Sequence, residues 1–149
     1  MMYWDTSCVL KLYAWEPDSE YWTKVAADRK GPLLSSTLMR AELAYALRAK
    51  ENRKELKTGG AQQLFDRFAS DIEQGWFRFM GMTGPVMERA VAFSMQPLLS
   101  NPPRTLDGLH LAAAVEWGCD EMATADRKLI QCAHEAGLQV ITTADGSKT

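Results

Sequence analysis

Cysteine is sparse in this chain, and its spacing does not pair it. Cys8, Cys119 and Cys132 are the only three, they form no CxxC pair, and their number is odd. No disulfide framework is expected, and the three read as small buried residues in a reducing cytosol. Long apolar runs are also missing, so no membrane span is expected. The opening Met1-Met2-Tyr3-Trp4-Asp5 has neither a basic stretch nor an apolar core behind it, which argues against a secretory signal and for a cytoplasmic protein. An excess of positive charge is absent too. The net charge is −2, from 17 basic and 19 acidic residues, unlike the basic footprint of a tight, non-specific nucleic-acid binder. Setting four acids aside on one cation would leave 15 against 17 basic residues, so a nucleic-acid substrate is neither supported nor excluded. There is no internal repeat, low-complexity tract or linker.

What remains is an ordinary globular composition, 46% hydrophobic and 24% charged over 149 residues. One domain is expected over residues 1–143, with a frayed tail at 144–149. Met2-Tyr3-Trp4 is short and β-prone, and Cys8 to Tyr13 looks helical. Tyr21, Trp22, Val25 and Ala26 fall at helical spacing. Leu33 to Ser36 reads as a second strand, and 37–50 as the clearest helix. A charged connection at 51–60 precedes a helix carrying Leu64, Phe65, Phe68, Ala69 and Ile72. Trp76 to Met80 reads as a strand, and Gly84-Pro85 opens a helix. After a loop from Pro97 to Pro103, Thr105 is the expected N-cap of a helix running to Trp117. A strand at 121–125, a helix at 127–136 and a strand at 138–142 complete the alternation. The pattern predicts a three-layer α/β/α fold with a mostly parallel central sheet. Sites in such folds form at the carboxyl ends of the strands, where the strand order reverses.

Four carboxylates occupy positions where chemistry is expected. Asp5 and Asp126 each follow a strand and precede a helix, and each is also a good N-cap. Asp107 lies in the first turn of its helix, where the macrodipole stabilises negative charge. Glu42 is harder to explain structurally. On a helical wheel it is surrounded by Leu38, Met39, Tyr45, Ala46 and Ala49, an apolar stripe on which a carboxylate needs a cation or donors. A salt bridge to Arg104 or another base would answer that need, and so would a shared metal. Two carboxylates 4 Å apart repel by roughly 4 kcal/mol at an effective dielectric of 20, so a cluster of them takes up protons or holds a cation. All-oxygen ligation suits Mg²⁺ or Mn²⁺, which can activate water for phosphodiester cleavage.

Four segments, taken in order, resemble the PIN-domain nucleases. They are Asp5-Thr6-Ser7 after the first strand, Glu42 on the third helix, Arg-Thr-Leu-Asp-Gly-Leu-His-Leu-Ala-Ala-Ala at 104–114, and Thr-Ala-Asp-Arg-Lys-Leu at 124–129. Length and order are most similar to the toxin subunits of VapBC toxin–antitoxin pairs. The resemblance implies that Asp5, Glu42, Asp107 and Asp126 form a metal-binding catalytic quartet. It also implies that Thr6, Ser7 and Thr124 supply orienting hydroxyls. The activity implied is a Mg²⁺- or Mn²⁺-dependent endoribonuclease, a homodimer inhibited by a small antitoxin bound across the cleft.

Lys11, Arg104, Arg127 and Lys128 are near enough in sequence to contact phosphates. His110 is expected to serve the packing of its motif, and His134 to be solvated. Trp4, Trp15, Trp22 and Trp76 fall at amphipathic spacings that favour burial over base stacking. Two other readings compete: a non-catalytic PIN-like module that binds RNA or a protein, and a structure-specific DNA nuclease. A phospho-acceptor domain fits poorly, because Trp76 to Thr83 contains no Asp and Ser7 stands where an Asp-x-Asp motif needs its second acid.

Overall fold

The computed structural model describes residues 1–96 and 101–143; part of the expected 97–103 loop and the whole of the expected tail lie outside the described residues. Five strands form one sheet: β1 (Met2–Trp4), β2 (Leu33–Ser36), β3 (Phe77–Met80), β4 (Glu121–Ala123) and β5 (Gln139–Ile141). Their spatial order is β3-β2-β1-β4-β5, and every pairing is parallel. The helices are α1 (Thr6–Tyr13), α2 (Ser19–Ala27), α3 (Thr37–Asn52), α4 (Gly60–Glu73), α5 (Gly84–Met95), α6 (Thr105–Glu116) and α7 (Arg127–Glu135).

Period-two alternation along the strands divides the core into two layers. Tyr3, Leu34 and Met122 face a cluster completed by Val86 and Phe93 of α5, Leu111 to Ala114 of α6, and Leu129 and Ala133 of α7. Met2, Trp4, Leu33 and Ala123 face the other cluster. That one is filled by Cys8 and Val9 of α1, Trp22 of α2, Met39, Leu43 and Leu47 of α3, and Phe68 of α4. Helices therefore cover both faces of the sheet, as the β/α alternation predicts. β1 is central because both of its neighbours, β2 and β4, hydrogen-bond to it. The chain winds outward from β1 to β2 and β3, then crosses to β4 and β5. The strand order thus reverses between β1 and β4.

Several local expectations are corrected. The buried row of α3 is Met39, Leu43 and Leu47, at i, i+4, i+8. Tyr45, placed on that stripe by the wheel, is 81% exposed. Glu42 therefore stands at the edge of the apolar face, half-buried, and not at its centre. The N-cap of α6 is Arg104 and not Thr105, and no side chain caps that end. Thr83 caps α5 by accepting from the Val86 N–H, with proline just inside the helix. Of the tryptophans expected to be buried, Trp4 and Trp22 are, packed edge to face 6.2 Å apart, whereas Trp15 and Trp76 are exposed. All three cysteines are buried and free. No helix among the described residues is long and apolar enough to cross a membrane.

Candidate active site

The acidic cluster forms at the carboxyl end of the sheet, where the strand order reverses. Asp5 follows β1 directly, and its N–H donates to the Ala123 carbonyl of β4 at 3.0 Å, tying the two strand ends together. Its side chain is both an N-cap and a fixed ligand-like group. Oδ2 accepts from the Ser7 N–H at 3.3 Å, the Ser7 hydroxyl at 2.6 Å and the Thr124 hydroxyl at 3.0 Å. The Ser7 hydroxyl in turn accepts from the Ala125 N–H at 2.9 Å, and Thr124 from the Asp126 N–H at 3.1 Å. Ser7 and Thr124 thus lock the loop after β4 to the loop after β1. Asp126 caps α7 through Oδ1, accepting from the Lys128 and Leu129 N–H groups at 2.9 and 3.2 Å. The N-cap role expected for these two acids is therefore present, and it leaves one carboxylate oxygen of each uncommitted.

Glu42 reaches the cluster from the opposite layer. Its Oε1 accepts from the Thr6 hydroxyl at 2.8 Å and from His110 Nε2. The hydrogen-bonding partner that a carboxylate on this helix needs is supplied by His110, not by Arg104. His110, expected to be a packing residue, is completely buried yet fully engaged: its Nδ1 lies 2.6 Å from the Tyr3 hydroxyl and its Nε2 3.8 Å from Asp5 Oδ1. Its proximity to the site was readable in the sequence one turn after Asp107, but its partners were not. Burial works against charge on the ring. The hydrogen bond to Glu42 and the negative charges of Asp5, Glu42 and Asp107 outweigh it and raise the imidazole pKa. Burial likewise disfavours the Glu42 anion, but His110 and Thr6 together bring its pKa below the usual carboxylate value.

Asp107 behaves differently. It accepts no hydrogen bond from any described residue. Burial, and then the charges of Asp126 and Asp5, with a smaller push from Glu42, raise its pKa to about 6 against the opposing pull of His110. The charges of the other three acids thus all reach Asp107 and favour its protonated form.

The donor set suits a hard divalent cation, since every candidate ligand atom is a carboxylate oxygen. Asp5 Oδ1, Glu42 Oε2 and Asp126 Oδ2 accept no hydrogen bond from the described residues, while each partner oxygen is held by protein donors. The protein thus fixes one oxygen of Asp5, Glu42 and Asp126 and leaves the other open, while neither Asp107 oxygen is held by a described residue. Among the described residues no three acidic, histidine or cysteine side chains already stand in an ion-holding arrangement.

The basic residues divide. Lys11 is committed to Asp18, with its Nζ 2.7 and 2.6 Å from the two carboxylate oxygens. Arg104 and Arg127 are exposed, as are Lys128 and His134. Neither Arg104 nor Arg127 has an ion pair among the described residues.

The fold is a three-layer parallel α/β domain with acids gathered at its switch point. Within that fold class, this chain belongs to the PIN domain family, whose model matches residues 2–147. No curated protein matches the sequence. Solved structures share the fold at low identity. Mycobacterium tuberculosis VapC20, a sarcin–ricin loop cleaving toxin, is 13% identical with a TM-score of 0.68, over 89% of this chain and 95% of that one. VapBC2 from Rickettsia felis, bound to a DNA fragment from its promoter, is 16% identical with a TM-score of 0.66, over 95% and 98%. FitAcB from Neisseria gonorrhoeae is 18% identical with a TM-score of 0.64, over 95% and 96%.

Proposed function

We propose that this chain is a Mg²⁺- or Mn²⁺-dependent endoribonuclease, the toxin of a toxin–antitoxin pair. The observation that carries the reading is the placement of Asp5 and Asp126 at the adjacent carboxyl ends of β1 and β4, tied together through Ser7 and Thr124, with Glu42 bonded to the same His110 nitrogen that lies 3.8 Å from Asp5. Burial and the charges of these acids raise the Asp107 pKa to about 6. Asp5, Asp107, Asp126 and Glu42 would hold the cation. A bound divalent ion would supply an activated water and neutralise charge developing on the phosphodiester. Ser7 and Thr124 orient Asp5, and Thr6 orients Glu42, which fixes the open oxygens relative to the strand ends. Arg104 and Arg127 are free to meet backbone phosphates at the rim.

The similarity in fold to VapC20, a toxin that cleaves the sarcin–ricin loop, supports RNA as substrate over DNA. The VapBC2 and FitAB structures support a small antitoxin as partner. Homodimerisation belongs to the same reading. The exposed row Met87, Val91 and Met95 along α5 supports it, and light scattering of the purified chain would test it.

Asp107→Asn provides the deciding experiment. The variant should keep the wild-type circular dichroism spectrum and lose cation-dependent RNA cleavage by about 100-fold or more. Cleavage at the wild-type rate would rule the reading out. A folded wild type that binds RNA but never cuts it would favour the binding-module alternative, and preferential cutting of single-stranded DNA would favour the DNA nuclease.

A further inference from the structure

His110 lies outside the acidic quartet, yet it touches more of the site than any acid does. It is fully buried on α6, and three other elements converge on its ring. The β1 hydroxyl of Tyr3 sits 2.6 Å from Nδ1, the α1 hydroxyl of Thr6 3.4 Å from Nε2, and the α3 carboxylate of Glu42 hydrogen-bonds to the same Nε2. The Tyr3 ring packs edge-on against the imidazole, with centroids 5.7 Å apart and planes at 67°.

The chemistry of these partners assigns the ring. An ionised carboxylate only accepts, so Nε2 carries the proton that it donates to Glu42. The Tyr3 hydroxyl can donate to a bare Nδ1 or accept from a protonated one, so the chain is satisfied in either state of the ring. Glu42 has the longest side chain of the four acids, emerges from the edge of the buried face of α3, and is 21% exposed. Without an anchor it is free to rotate into solvent. We propose that Tyr3 and His110 form a buried hydrogen-bonded strut that holds the Glu42 carboxylate in the acidic cluster, with His110 as the positioning residue. The strut sets Oε1 and thereby aims Oε2 at the other acids. Its consequence for cation binding rests on the nuclease reading; its existence does not.

The test has two arms. In metal-free, ¹⁵N-labelled protein, the His110 Nε2–H should give a solvent-protected imidazole proton signal. Glu42→Ala should abolish that signal or make it exchange at least about 10-fold faster, whereas Tyr3→Phe should shift it through Nδ1. No signal in the wild type, or a signal indifferent to Glu42→Ala, would overturn the strut. In the second arm, Mn²⁺ affinity is measured by calorimetry. His110→Gln should weaken it by about 10- to 100-fold, the usual consequence of removing a group that orients a ligand. Tyr3→Phe, which keeps the ring and its packing should the His110 variant fail to fold, should weaken it by a smaller factor. In a Glu42→Ala background, Tyr3→Phe should have no further effect, because Tyr3 acts only through Glu42. Equal weakening in both backgrounds would reduce Tyr3 and His110 to a general structural role and overturn the proposal. A wild type that binds no Mn²⁺ and cuts no RNA would defeat the nuclease reading, with the first arm still deciding the strut.

Discussion

Asp107 carries an uncompensated charge, and its stability signature follows from that. Its carboxyl pKa is raised from 3.8 to about 6 in the folded chain, so the folded state binds more protons than the unfolded state between those values. The sign is therefore fixed: stability falls as pH rises through this window, and the group is destabilising at neutral pH. Asp107→Asn should melt above the wild type at pH 7, and the difference should vanish near pH 4; a thermal melt at the two pH values checks it. Asp5 has three donors on one oxygen. Removing one of them in Thr124→Val should lower the cleavage rate by about 10- to 100-fold through misplacement of Asp5, measured at saturating Mn²⁺. His110 was underrated from sequence because a lone histidine on an apolar face is ordinarily packing. Only its neighbours, remote along the chain, reveal a ring hydrogen-bonded at both nitrogens.

Four of the seven helices carry the four acids at an end or an edge. Asp5 and Asp126 cap α1 and α7, Asp107 stands in the first turn of α6, and Glu42 lies at the margin of the α3 stripe. For α7 the cap and the proposed ligand can be separated. Asn caps as well as Asp, so Asp126→Asn should leave stability within a few tenths of a kcal/mol of wild type while losing activity. Asp126→Ala should lose activity and also about 1 kcal/mol of stability in urea denaturation. The strands and helices were legible in the sequence to within a few residues, because strand alternation and helical periodicity are local properties. The α3 wheel failed at Tyr45 for a physical reason. Tyr45 is apolar enough to count toward a stripe, but α4 and the sheet claim the face of Met39, Leu43 and Leu47 and leave Tyr45 in solvent.

At the scale of the whole molecule, the site joins the two layers of the core. Glu42 comes from the layer of α1 to α4, and His110 and Asp107 from the layer of α5 to α7. On the proposed nuclease reading, a bound cation would share the charge gathered at this seam. Saturating Mn²⁺ should therefore stabilise the wild type by about 2.7 kcal/mol at 100 times its dissociation constant, and Asp107→Asn by much less at the same concentration. Parallel thermal melts with and without Mn²⁺ would show it. The modest net charge of −2 is consistent with this arrangement, since the acids are concentrated at one edge of the sheet and the exposed Arg104 and Arg127 flank two of them.

From its own pattern the chain determined the alternation of strands and helices, the parallel sheet, and the placement of Asp5, Asp107 and Asp126 at strand and helix ends. The alternation and the end positions depend on residues within a turn or two of one another, and the parallel arrangement follows from the alternation. The tertiary structure alone decided which residue neutralises Glu42. The Tyr3 hydroxyl and the His110 ring are separated by 107 positions, and His110 and Glu42 by 68, and no local periodicity encodes such contacts. The strand order brings β1 beside β4, and the layers on either side of them meet at the carboxyl edge. That geometry converts four separate acids and a packing histidine into one coupled electrostatic site.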